Sequence, residues 1–167
     1  MTTVIFSHGQ ESGPWGTKIR AMAERAESLG CQVLSVDYQG IADPLERVQK
    51  LLKEARGIDD NLLLVGSSMG GYVATAAAEE LGAAGLFVLA PAYFMEGFGA
   101  QTPDAPGMPI CIVHGWRDEI VPVENSIRYA SKCRATLNVL DGDHRLTANI
   151  EEINDHLEKF IEKLEEK

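Results

Sequence analysis

The sequence predicts an α/β fold: a doubly wound, mainly parallel sheet of six strands with helices on both faces. Three observations lead there. Short runs rich in Val, Ile, Leu and Phe recur six times along the 167 residues. Longer amphipathic stretches separate them. The runs are apolar almost without interruption, which is the pattern of strands covered on both faces rather than one. Strands alternating with helices imply a parallel sheet with right-handed crossovers. Six strand-plus-helix units in this length give about 28 residues each, close to a βαβ repeat.

The first run is Val4-Ile5-Phe6, and its successors begin near Val33, Leu62, Leu86, Ile110 and Leu137. Between the first two, Ile19, Met22, Ala23, Ala26 and Leu29 fall on one helical face, and Gly30 supplies a left-handed stop. Asp43-Pro44-Leu45-Glu46 is a helix start: Asp43 can cap, Pro44 suits the first helical position, and Glu46 can reach back as a capping box. Leu45, Val48, Leu52 and Ala55 then form the expected buried stripe. Val73, Ala76, Ala77 and Leu81 mark one side of a helix after the third strand. The last helix sets Ile150, Ile153, Leu157, Phe160, Ile161 and Leu164 against a charged side that reads as a solvated face.

Composition bounds the function. Residues 1–167 are expected to form a single domain, and a chain of this size buries about 68–70% of its unfolded surface, enough for a core without disulfides or metal. With 45% hydrophobic and 24% charged residues the chain is not a disordered one. A net charge of −10 suits neither a phosphate backbone nor an anionic lipid surface, so no nucleic acid and no membrane partner are expected. No apolar run approaches the ~18–20 residues that span a bilayer. Met1-Thr2-Thr3-Val4 has neither a basic region nor a small-residue cleavage site. Cys31, Cys111 and Cys133 lack C-x-x-C spacing and are expected as free thiols in a reducing cytoplasm, Cys111 as a small core residue. Nothing in the sequence selects an oligomeric state.

In a doubly wound sheet, ligands sit beyond the carboxyl ends of the strands. The third run leads into Gly66-Ser67-Ser68-Met69-Gly70, a G-x-S-x-G motif between strand and helix. There a sharp, strained turn exposes the central hydroxyl near a helix N-terminus that favours negative charge. A serine is a weak nucleophile and needs a base oriented by a third group. The fifth run is followed by His114-Gly115-Trp116-Arg117-Asp118 and the sixth by Asp141-Gly142-Asp143-His144. The order Ser68, Asp118, His144 is the order this scaffold uses. Asp143 and Glu119 are rivals to Asp118 for the acid. Asp118 is favoured because a residue seldom curls back onto its neighbour's ring.

These pieces, with Ser7-His8-Gly9-Gln10 after the first run and Val121-Pro122 behind Asp118, span nearly the whole chain. They resemble a small serine esterase of the α/β-hydrolase superfamily, in its carboxylesterase and dienelactone-hydrolase branches. The resemblance implies Ser68 as nucleophile, His144 as base and Asp118 as orienting acid, with the Met69 and Gln10 N–H groups as the oxyanion hole. It implies cleavage of small carboxylic esters or thioesters through an acyl-enzyme, with no cofactor. The sequence departs from that family in having no antiparallel strand pair before the first run and no length for a helical cap. Residues 91–109 are the one candidate lid, and their Tyr93, Phe94, Met95 and Phe98 are expected to line an apolar pocket.

The remaining histidines read as structural. His8 and His114 each precede a glycine at a strand end and are expected to bond loop backbone, and His156 sits partly exposed on the last helix. Asp141, Asp143 and His144 lack zinc-ligand spacing, so no metal is expected. Two rivals compete with the hydrolase. Gly9, Gly13 and Gly16 followed by Asp37 loosely imitate an NAD(P)-binding fingerprint, although Pro14 and Trp15 crowd that turn. An α/β-hydrolase scaffold that binds ligand without turnover is the other.

Overall fold

The computed structural model describes residues 1–96 and 101–166. Its six strands are β1 (Thr2–Ser7), β2 (Gln32–Val36), β3 (Asn61–Ser67), β4 (Gly85–Leu89), β5 (Ile110–Gly115) and β6 (Thr136–Leu140). They form one sheet in the order β2-β1-β3-β4-β5-β6, parallel throughout. The helices are α1 (Thr17–Ser28), α2 (Pro44–Ala55), α3 (Met69–Ala78), α4 (Val123–Cys133) and α5 (Ile150–Glu165).

Successive strand side chains point to opposite faces, and the apolar runs feed two separate cores. Ile5, Leu64 and Ile112 pack under α2, α3 and α4 with Leu51, Val73 and Tyr129. Val4, Phe6, Val65 and Phe87 pack under α1 and α5 with Met22, Ala26, Leu157 and Ile161. Each fully buried Val, Leu, Ile, Phe or Met side chain among them contributes about 1.5–3 kcal/mol. Strands apolar on both sides are therefore what this sheet requires. Gly30 ends α1 at φ 89°, as expected of a left-handed stop.

Two local expectations change. Asp43 does cap α2, its carboxylate accepting the Leu45 N–H at 3.0 Å, but Leu45 is 51% exposed. The buried stripe takes Arg47 in its place, with Val48, Leu51, Leu52 and Ala55. The β4–β5 connection carries no helix among its described residues. Tyr93 is wholly buried there and stacks on Tyr129 with ring centroids 4.0 Å apart. That packing covers the sheet where a crossover helix would otherwise lie.

The sheet order turns round at β1, which has β2 on one side and β3 on the other. At such a point the connections leave in opposite directions and open a crevice at the carboxyl edge. The loops after β1 and β3 are thus neighbours, and those after β5 and β6 approach from the same edge.

Candidate active site

β3 ends at Ser67 and α3 begins at Met69, so Ser68 alone turns the chain. It does so at φ 56° and ψ −119°, a conformation that costs a non-glycine residue about 1–3 kcal/mol. The backbone pins it. Ser68 N–H donates to Leu89 O at 2.9 Å, and Ser68 O accepts from the Ala92 and Gly71 N–H groups, each at 3.0 Å. The flanking glycines are steric necessities: a Cβ on Gly66 would enter the Gly70 carbonyl, and one on Gly70 would enter the carbonyl of Ser7.

The turn aims the Ser68 hydroxyl at His144. Ser68 Oγ lies 3.1 Å from His144 Nε2, and His144 Nδ1 lies 2.8 Å from Asp118 Oδ2. A carboxylate accepts only, so Nδ1 carries the proton and Nε2 is the lone-pair nitrogen facing the hydroxyl. Asp118 reaches its place because its other oxygen accepts the N–H groups of Ile120 at 2.9 Å and Val121 at 2.8 Å. Burial alone would raise the Asp118 pKa. Hydrogen bonds from His114, His144 and these two amides outweigh it and hold the carboxyl well below the usual carboxylate range. Asp143 does not compete: its Oδ1 accepts from the Arg145 and Leu146 N–H groups. Glu119 is exposed.

The loop after β1 brings Gln10 toward the same turn and is held from behind by two buried residues. Tyr38 N–H donates to His8 Nε2 at 2.8 Å, so the His8 proton sits on Nδ1 and bonds Gly9 O at 2.7 Å. Arg47 Nη1 donates to the carbonyls of Gly9 at 3.1 Å and His8 at 3.3 Å, and its Nε to Ile41 O at 2.7 Å. The Gly9 carbonyl and the Gln10 N–H belong to one peptide plane and point opposite ways. Drawing the carbonyl toward Arg47 therefore turns the Gln10 N–H outward. Among the described residues that N–H donates to no protein group. Met69 opens α3, so its N–H has no acceptor within the helix either. Sequence reasoning missed Arg47, since an arginine beside a helical stripe ordinarily reads as surface.

A cleft of about 1100 Å3 opens over Ser68 and His144, walled by the loops after β1, β5 and β6. The model of the alpha/beta hydrolase domain family matches residues 1–166. The chain belongs to that family.

Solved structures and relatives agree with the membership. A protein of the alpha/beta hydrolase superfamily from Xanthomonas campestris pv. campestris superposes with a TM-score of 0.91 at 31% identity, over 96% of this chain and 98% of its own. Est1E from Butyrivibrio proteoclasticus shares the fold, with a TM-score of 0.85 at 20% identity over 99% and 88% of the two chains. The mitochondrial palmitoyl-protein thioesterase ABHD10 of Bos taurus is 26% identical, over 96% of this chain and 73% of its own length.

In this alpha/beta hydrolase the apolar wall of the cleft comes from Ile19, Trp116 and Ile120, the last two 60% and 61% exposed. Tyr93, Phe94 and Met95, expected to line it, lie elsewhere. Tyr93 bonds Thr75 Oγ1 through its hydroxyl at 2.6 Å, Arg128 covers the Phe94 ring at 3.8 Å, and Met95 packs against the α2–α4 core. Aromatic composition told that these residues needed cover without telling which face supplied it. Phe98 lies outside the described residues. Asp37, the acid of the dinucleotide fingerprint, accepts the Gln39 N–H at 2.9 Å. No helix among the described residues is long and apolar enough to cross a membrane. The cleft also holds a cation that the sequence did not single out. Lys18, in the first turn of α1, donates to Ser67 Oγ at 3.3 Å.

Proposed function

We propose that the protein is a serine hydrolase that cleaves small carboxylic esters or thioesters through an acyl-enzyme on Ser68. The observation that carries this reading is the continuous hydrogen-bond chain Ser68 Oγ–His144–Asp118 at 3.1 and 2.8 Å. His144 Nε2 takes the Ser68 proton as Oγ attacks the carbonyl, and the buried Asp118 carboxylate stabilises the imidazolium that forms. The N–H groups of Met69 and Gln10 receive the developing oxyanion, each worth about 2.7–4 kcal/mol of barrier. His144 then returns the proton to the leaving alcohol or thiol, and water repeats the sequence on the acyl-enzyme.

Oxygen esters and thioesters pass through the same tetrahedral intermediate, and the kinship with a palmitoyl-protein thioesterase keeps both in the substrate class. The test is labelling with a fluorophosphonate probe, with Ser68→Ala as control. A label that maps to Ser68 and vanishes in the variant is the expected result. An unlabelled protein would leave the non-catalytic ligand-binding reading. A panel of p-nitrophenyl esters from acetate to decanoate, with a palmitoyl thioester beside it, then sizes the acyl site.

A further inference from the structure

Lys18 carries a half-buried ammonium that, among the described residues, meets no carboxylate. It carries three N–H donors, and among the described residues its one hydrogen-bond partner is Ser67 Oγ, the side chain next to Ser68. No carboxylate oxygen of the described residues lies within 4.0 Å of it, whereas Arg117, on the same cleft, is bound to Asp141 at 2.8 Å. The charged groups facing Lys18 are Asp143 and Asp118, which attract it, and Arg145, which repels it. Both carboxylates are engaged with other partners. Asp118 accepts from two imidazoles and two amides, and Asp143 Oδ1 accepts the Arg145 and Leu146 N–H groups. The exposed Glu11 and Glu119 complete the charged lining of the cleft.

A second feature has the same sign. α1 opens on Gly16 without a side-chain cap and has no acidic residue in its first turn, and Gly16 and Thr17 line the cleft beside Lys18. The positive end of the helix and the ammonium therefore lie together against one wall. Holding an ammonium partly out of water with no carboxylate in contact is unfavourable, and a contacting partner would arrive with the occupant of the cleft.

We propose that Lys18 binds an anionic group on the substrate, so that the cleft prefers esters or thioesters bearing a carboxylate or phosphate near the scissile carbonyl. This rests on the serine-hydrolase reading and names its substrate class. Burial, opposed by the attraction of Asp143 and Asp118, lowers the Lys18 pKa to about 8. The charge is present below that value and lost above it, so the preference fades between pH 7 and 9. Any pH effect on the acyl-transfer step itself acts on charged and neutral esters alike and cancels in their ratio.

The test compares matched pairs. p-Nitrophenyl monoadipate against p-nitrophenyl hexanoate places the charge on the acyl side, and 3-acetoxybenzoate against phenyl acetate places it on the leaving group. In at least one pair, the anionic ester should have the higher kcat/KM at pH 7. That ratio should fall about tenfold in Lys18→Met, as for one partly buried charge pair. The wild type should lose the same preference at pH 9 without any substitution. Ratios near one in both pairs, or a preference that survives both pH 9 and Lys18→Met, overturn the proposal. Calorimetric binding of monomethyl adipate and methyl hexanoate to Ser68→Ala repeats the comparison without turnover. A labelled Ser68 with flat ratios removes the anion site alone, and an absent label with a retained binding preference removes the esterase reading alone.

Discussion

His114 Nε2 stands 3.1 Å from Asp118 Oδ2, so the carboxylate that orients His144 is itself gripped by a second, wholly buried imidazole. The same Nε2 lies 2.9 Å from Val121 O, which only accepts, so this nitrogen carries the proton and Ser126 Oγ donates to Nδ1 at 2.7 Å. Asp118→Asn should lower kcat about 10⁴-fold by releasing the His144 tautomer. His114→Phe, which removes the donor behind Asp118, should cost about tenfold to a hundredfold. His114→Gln keeps an N–H at that position and should retain most activity. Steady-state kinetics on the three variants separates a positioning role from one of packing, because Phe fills the space and only Gln keeps the bond.

Arg47 holds the Gly9–Gln10 peptide through its carbonyl. Arg47→Met should lower kcat about tenfold to a hundredfold with KM little changed, since one oxyanion donor is misaimed rather than deleted. The buried His8 carbonyl, left without its donor while Gly9 O keeps the His8 ring, should also cost about 1–3 kcal/mol of stability. Kinetics and urea denaturation measured together decide the matter. A loss of stability with kcat intact would reduce Arg47 to a structural role.

His8 gives the fold a pH dependence. Burial, together with the nearby Arg47 charge, lowers its pKa below 6.5 despite the bond to Gly9. Below 6.5 the unfolded chain takes up a proton that the folded one refuses, so stability falls as pH falls through that window and is fully present above it. Protonation at Nε2 would also break the bond from Tyr38 N–H. Denaturation midpoints between pH 5 and 8 should slope upward in the wild type, and the slope should be shallower in His8→Gln.

Gly70→Ala should be among the most damaging single-methyl changes available. The added carbon would enter the carbonyl oxygen of Ser7, which belongs to a central strand and has nowhere to go. A loss of about 4 kcal/mol or more is expected. Thermal melts check it, and an Ala variant that melts with the wild type would contradict the packing.

Much of this was legible in the chain. The four inner strands follow from nearly uninterrupted apolar runs, because a strand buried on both faces has no polar side to interrupt it, whereas the edge strands β2 and β6 are broken by Ser35 and Asn138. That Ser68, Asp118 and His144 would come together was legible because each follows a run closely, and parallel strands deliver all their carboxyl ends to one edge. What the sequence hid were choices between faces. Leu45 and Arg47 are two positions apart on α2, and hydropathy assigns the leucine to the core; the carbonyls of His8, Gly9 and Ile41 reverse that by accepting the Arg47 N–H groups inside the fold. Tyr93 and Phe94 were misplaced for a related reason, since aromatic rings seek cover without specifying which side provides it. Lys18 gave no signal, because its neighbour Ser67 lies 49 residues away.

Among the described residues β6 pairs with β5 alone, and most of its residues are only partly buried. His144 follows that margin of the sheet, whereas Ser68 and Gln10 follow two interior strands. Loosening the margin would withdraw the imidazole while the hydroxyl and the loop amides stayed in register. Inactivation should therefore run ahead of unfolding: in rising urea the fluorophosphonate signal fades first and the circular dichroism follows, and gentle dilution restores both.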